Sequence, residues 1–206
     1  MKWKLLALLL LFPLFSPTVY AAKPTPPAPV PNSVCIDAGH GGTDIGTRNN
    51  DLTEKDVNLD VASRLETKLT EAGYTVFMTR RDNNETLSNA DRYNHCNNQR
   101  AAILISVHHN GSSDSSVDHT MALYMKKSDQ KLARTVAEKV SSQLLLPNQG
   151  ISRFASGVLL KADMPATISE GFFLTNTNEY NLIKTTDRLD QEANALLSAV
   201  QTYFGN

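Results

Sequence analysis

The spacing of apolar positions changes repeatedly along this chain, and each change marks an expected element. Ser33 to Asp37 is a short apolar run that predicts a strand, and it ends in a loop carrying Gly39, Gly41, Gly42 and Gly46. Val57, Val61, Leu65 and Leu69 then recur every four residues until Gly73, which predicts a helix whose start is marked by Thr53 and Asp56 as a capping-box-like pair. Tyr74 to Thr79 predicts a strand, and Ser88 with Asp91 opens a second, more polar helix. Ala101 to Val107 is apolar at nearly every position, as expected of a central strand buried on both faces. Beyond it, Thr120 to Met125 predicts a strand, and Ser128 to Leu146 a helix with Leu132, Val136 and Val140 on one stripe. Two further strands are expected at Val158 to Leu160 and Ala166 to Ser169, and a last helix from Asp187 to about Phe204 with Leu189, Ala193, Leu196 and Val200 aligned. Strands alternating with helices predict an α/β sheet covered by helices.

The N-terminal segment follows a different pattern. Lys2 and Lys4 precede an apolar stretch from Leu5 to Phe15, and Val19-Tyr20-Ala21 offers small residues at a cleavage spacing. Residues 1–22 are therefore expected to be a signal peptide cut after Ala21 or Ala22, since the run is shorter than the roughly 20 residues a bilayer span requires. The exported chain, periplasmic or secreted, then keeps no membrane span. A proline-rich linker, residues 23–32, reads as a spacer before a single domain at 33–206. With 206 residues and a formal net charge of −1, the chain has room for one catalytic-size domain and lacks the basic field of a nucleic-acid binder. Cys35 and Cys96 are the two cysteines. Export permits a disulfide, but Cys35 falls in a buried strand where a free thiol packs as a small hydrophobe, and free thiols are the favoured expectation.

Candidate chemistry sits at element ends: His40 after the first strand, Glu54 at the first helix start and His108 at the end of the central strand. In an α/β sheet the crevice beyond the strands' carboxyl ends gathers such groups, and two imidazoles with one carboxylate suit zinc with a fourth position left open. Taken singly, each residue also reads as a cap or a solvent-facing side chain, and the spacing is not a compact metal motif such as HExxH. A phosphate-binding reading of the glycine-rich loop fails because the lysine and spacing of a P-loop are missing.

Four segments in order, Val34–Gly42 (VCIDAGHGG), Leu52–Leu59 (LTEKDVNL), Ile105–Asn110 (ISVHHN) and Ile168–Asn176 (ISEGFFLTN), resemble the signature segments of zinc-dependent N-acetylmuramoyl-L-alanine amidases, the amidase type 3 family. The resemblance runs from about Val34 to Phe204. It implies an α/β fold with a mixed, mostly parallel twisted sheet of about six strands, flanked by helices on both faces. It implies one Zn2+ held by His40, Glu54 and His108, Glu170 as the catalytic residue, and hydrolysis of the sugar–peptide amide of peptidoglycan or muropeptides by a monomer. Adjacent strand residues face opposite ways, so only one of His108 and His109 can face the metal. The family pattern selects His108, and His109, where relatives often carry a small residue, takes a structural or substrate-contact role. Ala38 and Ser169 are milder departures, His95 and His119 are expected at the surface, and Asp37 and Asn110 are candidate supports for the histidine ligands. The short segment from Gly111 to His119 predicts an open site. A zinc peptidase of wall peptides and a silent wall-binding domain are the competing readings.

Overall fold

The computed structural model describes residues 27–205, so the expected signal peptide and the first residues of the linker lie outside the described residues. The tract's end is tied to the domain: Val30 N–H donates to Arg100 O at 2.8 Å, and Ser33 Oγ donates to Val30 O at 2.6 Å.

The element order is β1 (Ser33–Ala38), β2 (Arg48–Asn49), β3 (Leu52–Thr53), α1 (Glu54–Glu71), β4 (Thr75–Met78), α2 (Asn89–Asn98), β5 (Ile103–Asn110), β6 (Thr120–Tyr124), α3 (Gln130–Leu144), β7 (Asn148–Arg153), α4 (Gly157–Lys161), β8 (Ala166–Phe173), α5 (Thr177–Thr185) and α6 (Arg188–Phe204). Six strands form one sheet in the order β4-β1-β5-β8-β6-β7, while β2 and β3 make a separate two-stranded ribbon. The β4, β1, β5 and β8 strands are parallel neighbours, and β6 runs antiparallel to β8 with β7 parallel to β6. This is the expected mixed, mostly parallel sheet.

Helices cover both faces. Val34, Ile36, Ile103, Ile105 and Val107 point to one side, where they pack against Val61 and Leu65 of α1, Leu132 and Val136 of α3, and Leu196 and Val200 of α6. Cys35, Leu104 and Ile168 point to the other, against Cys96 of α2 and Val158 and Leu159 of α4. The period-2 alternation of β5 thus explains its continuous apolar run: both faces are buried.

Several local expectations are corrected. Cys35 and Cys96 are joined in a disulfide, with Cα atoms 5.7 Å apart, because α2 crosses directly over β1. Val158 to Leu160 belongs to α4 rather than a strand; Ser156 Oγ caps it by accepting from Val158 N–H at 3.3 Å, and a three-residue apolar run has too little length for its period to tell helix from strand. The polar edge strand β7, the ribbon and α5 have no apolar period to betray them. Thr53 is the N-cap of α1, but its hydroxyl donates to the Asp56 carboxylate instead of accepting from a backbone amide. Ser88 and Asp91, by contrast, form a complete capping box.

Candidate metal centre

β1, β5 and β8 are neighbours, so their carboxyl ends open side by side at one edge of the sheet. His40 follows the end of β1, and His108 and Glu170 are paired across β5 and β8. The start of α1 brings Glu54 over this edge.

One donor atom from each of His40, Glu54 and His108 lies within 4.8 Å of the others. Glu54 Oε1 is 3.1 Å from His40 Nε2 and 2.9 Å from His108 Nδ1, and the two rings stand edge to face with centroids 4.8 Å apart. The outer nitrogen of His40, Nδ1, meets Asp44 Oδ2 at 2.9 Å, a carboxylate partner of the kind that commonly fixes a metal-binding imidazole. Two imidazole nitrogens and a carboxylate oxygen converging on one point, with the second carboxylate oxygen already taken by Thr47 N–H at 2.8 Å, form a donor set that fits a zinc-type ion. Glu54 is buried, which favours its neutral form, but hydrogen bonds and charge from His108 and His40 outweigh burial and hold it far below the ordinary carboxylate range. Burial likewise works to lower His40, and the Glu54 and Asp44 carboxylates raise it instead.

The loop that presents His40 is held from behind by two arginines that sequence reading missed. Arg80 donates to Ala38 O at 2.8 Å, Gly39 O at 2.7 Å and Lys55 O at 2.9 Å. Arg92 donates to Ala38 O, His40 O and Asp37 Oδ1, each at 2.8 Å. Burial, with the charge of Arg92 adding to it, lowers Arg80 to about 10. This clamp sustains His40 at a left-handed φ of 59°, a conformation non-glycine residues adopt only under constraint. Gly39 is required by close approach, because a Cβ there would collide with the His108 ring. No motif announced the arginines; their donors find backbone carbonyls, which leave no mark in sequence.

Glu170 lines two cavities together with His40 and His108. One, of about 480 Å³, runs past Leu87, Leu123, Phe154 and Ile168; the other, of about 410 Å³, runs past Thr47 and Gly111. Burial raises the Glu170 pKa and the Glu54 charge adds to the rise, against the histidines that pull it down. The His40 and His108 side chains remain 24% and 21% exposed, so the cluster opens to solvent.

His109 turns away from this opening, its side chain 0% exposed, to face α1 and α6. Of the two roles expected for it, the geometry is that of the structural one. Asp37 and Asn110 do not bond the histidine rings: Asp37 accepts from Thr79, Ser106 and Arg92, and Asn110 Nδ2 lies 3.8 Å from Met121 Sδ. His95 and His119 are half-buried rather than fully at the surface, and His119 packs on the Phe173 ring at 4.5 Å.

Fold and site together define an α/β protein with a cluster of two histidines and one carboxylate whose donor atoms could hold a metal ion, and a further carboxyl group beside it, at the carboxyl ends of parallel strands. Residues 34–202 match the N-acetylmuramoyl-L-alanine amidase family model, and the chain belongs to that family. It is 29% identical over 179 residues to N-acetylmuramoyl-L-alanine amidase LytC of Bacillus subtilis, covering 85% of this chain but only 36% of LytC. Among solved structures it is similar to the N-acetylmuramoyl-L-alanine amidase of Clostridium difficile 630, at 32% identity and a TM-score of 0.79 over 84% of this chain and 97% of that one. It is also similar to the catalytic domain of CwlV from Bacillus (Paenibacillus) polymyxa, at 26% identity and a TM-score of 0.80 over 84% of this chain and 98% of that domain.

Proposed function

We propose that this chain is an exported N-acetylmuramoyl-L-alanine amidase that hydrolyses the amide between the lactyl group of N-acetylmuramic acid and the L-alanine of the peptidoglycan stem peptide. The observation that carries the reading is the convergence of His40, Glu54 and His108 beside Glu170 in a chain of the amidase family. His40 Nε2, His108 Nδ1 and the Glu54 carboxylate would hold Zn2+. When bound there, the ion supplies Lewis acidity at the scissile carbonyl and makes a water easier to deprotonate.

The chain's own groups do the rest. Glu170, its pKa raised by burial, accepts the proton of the attacking water on a carboxylate oxygen and returns it to the departing L-alanine nitrogen. Asp44 and the arginine-held loop orient His40, so the donor set needs little rearrangement during reaction. The two cavities on either side of the cluster give the sugar and peptide halves separate room. Among the described residues no helix is long and apolar enough to cross a membrane.

The test is mass spectrometry of purified peptidoglycan digested with the protein, with chelator and with zinc restored. Free stem peptides beginning in L-alanine, lost with chelator and regained with zinc, are expected. Fragments cut within the stem would instead identify a zinc peptidase, and no product would leave a wall-binding domain. Glu170→Gln should lower turnover by about 10²–10⁴-fold while zinc content stays at the parental level; His40→Ala should lose both.

A further inference from the structure

A chain of buried hydrogen bonds leads from the last helix to the Glu54 carboxylate. Glu192, on α6 and 0% exposed, has Oε2 2.8 Å from His109 Nε2. His109 Nδ1 lies 2.7 Å from Asn58 Oδ1, and Asn58 Nδ2 is 3.1 Å from Gly39 O and 3.4 Å from Glu54 Oε1. The backbone N–H of His109 donates to that same Glu54 oxygen at 3.2 Å.

The direction of the bonds between Glu54 and His109 follows from the acceptors at one end. Gly39 O and the ionised Glu54 carboxylate accept only, so Asn58 must turn its NH2 toward them and its Oδ1 toward His109. His109 must then donate from Nδ1, which leaves its Nε2 facing the Glu192 carboxyl group. A ring that accepted from Asn58 would turn the amide over and set its oxygen against two other acceptors.

Burying Glu192 is costly, since a carboxyl group taken out of water loses hydration that a single hydrogen-bond partner only partly returns. The core on this side of the sheet includes Val57, Val61, Phe172, Ala193 and Leu196, and an apolar residue buried there would carry no such cost. Glu192 Oε1 has no hydrogen-bond partner and lies against Gly171, where a Cβ would collide with it. The residue immediately after Glu170 is thus one that leaves room for this carboxylate.

We propose that His109 and Glu192 are positioning residues for the metal centre: they fix the amide of Asn58 and, through it and the His109 backbone, the ligand carboxylate of Glu54. The inference rests on the metal reading above but not on the bond cleaved. Its test is zinc affinity, measured on the purified full chain by competition with a chromophoric chelator, alongside the melting temperature of the metal-free protein. His109→Leu and Glu192→Leu should each bind zinc about 10–100-fold more weakly. The double variant should regain melting temperature, because two apolar groups replace a buried polar pair with an unpartnered oxygen, yet remain weak for zinc. Glu192→Gln, which keeps an acceptor for Nε2, should lie closest to the parent. A double variant that binds zinc as tightly as the parent would overturn the proposal, leaving the pair as packing alone. So would a double variant that fails to fold, or a parent that takes up no zinc. A parent that binds zinc but releases no wall product, with variants that show these shifts, would sink the amidase reading and leave this one standing.

Discussion

The two faces of the sheet solve the same problem with unequal means. On one, α1, α3 and α6 are 18, 15 and 17 residues long and bury a broad apolar layer. On the other, α2 and α4 are 10 and 5 residues long and cover a smaller one. The long face has enough apolar area to carry a buried His109–Glu192 pair near its upper edge. The short face adds a disulfide, Cys35–Cys96, in the middle of β1 and an ion pair, Arg92–Asp37, toward its carboxyl end. Both pairs lead to the His40–Glu54–His108 cluster, one reaching Glu54 through Asn58, the other holding the His40 loop through Arg92. Where area is short, covalent and charged anchors take over the work of fixing a strand end.

Removing the charge anchor should have the largest effect. Arg92→Met keeps the volume but leaves Asp37 buried with only the Thr79 and Ser106 hydroxyls, a change expected to cost about 3–5 kcal/mol. Burial pushes the Asp37 pKa up, but the Arg92 charge and the hydrogen bonds from Ser106, Thr79 and Arg92 outweigh it and hold the group below its ordinary value of 3.8. A depressed carboxyl stabilises the fold above that ordinary value and ceases to as pH falls through its folded value. In Arg92→Met the burial of Asp37 acts without the charge that opposes it most. Urea unfolding should therefore show a large deficit at pH 7 that shrinks below about pH 4. A deficit of equal size at both pH values would mean that packing, not charge, was lost.

The covalent anchor comes next. The Cys35–Cys96 bond spans a sequence separation of 61, and Cys35→Ala/Cys96→Ala should lose about 2–4 kcal/mol. If the short face depends on it, hydrogen exchange should speed first in α2 and α4 while α1 and α6 stay protected. Loss spread evenly over all the helices would break the contrast between the faces.

The long face was the legible one. Val57 to Leu69 and Leu189 to Val200 repeat at helical spacing because one stripe of each helix is buried, and the reading of both helices holds to within a residue or two at their ends. The short face hid its logic: α4 is too short to display a period, and Cys35 looks the same in sequence whether it packs as a thiol or reaches across to α2. The convergence of His40, Glu54 and His108 was foreseeable from where element ends meet, with the family segments supplying Glu170. Arg80, Arg92, Asn58 and Glu192 were not, because their partners are backbone carbonyls or side chains up to 83 residues away. Only the tertiary fold makes those distances short.

The smallest effect has the opposite sign and lies on the long face, away from the cluster. Leu145 caps the C-terminus of α3 at φ 57°, ψ 38°, and is 88% exposed. A left-handed leucine costs about 1–2 kcal/mol, and its side chain, in solvent, repays little of that. Glycine removes the strain but gives back part of the gain through the freedom it adds to the unfolded chain. Leu145→Gly should therefore stabilise the protein by about 0.5–1 kcal/mol, seen as a higher melting temperature with zinc affinity unchanged. A gain that left zinc affinity in place would show that long-face stability can be tuned independently of the site, whereas Arg92→Met on the short face changes stability and His40 together. A fall in melting temperature would mean that Leu145 contributes contact energy exceeding its backbone strain, and that the long face too has an edge without slack.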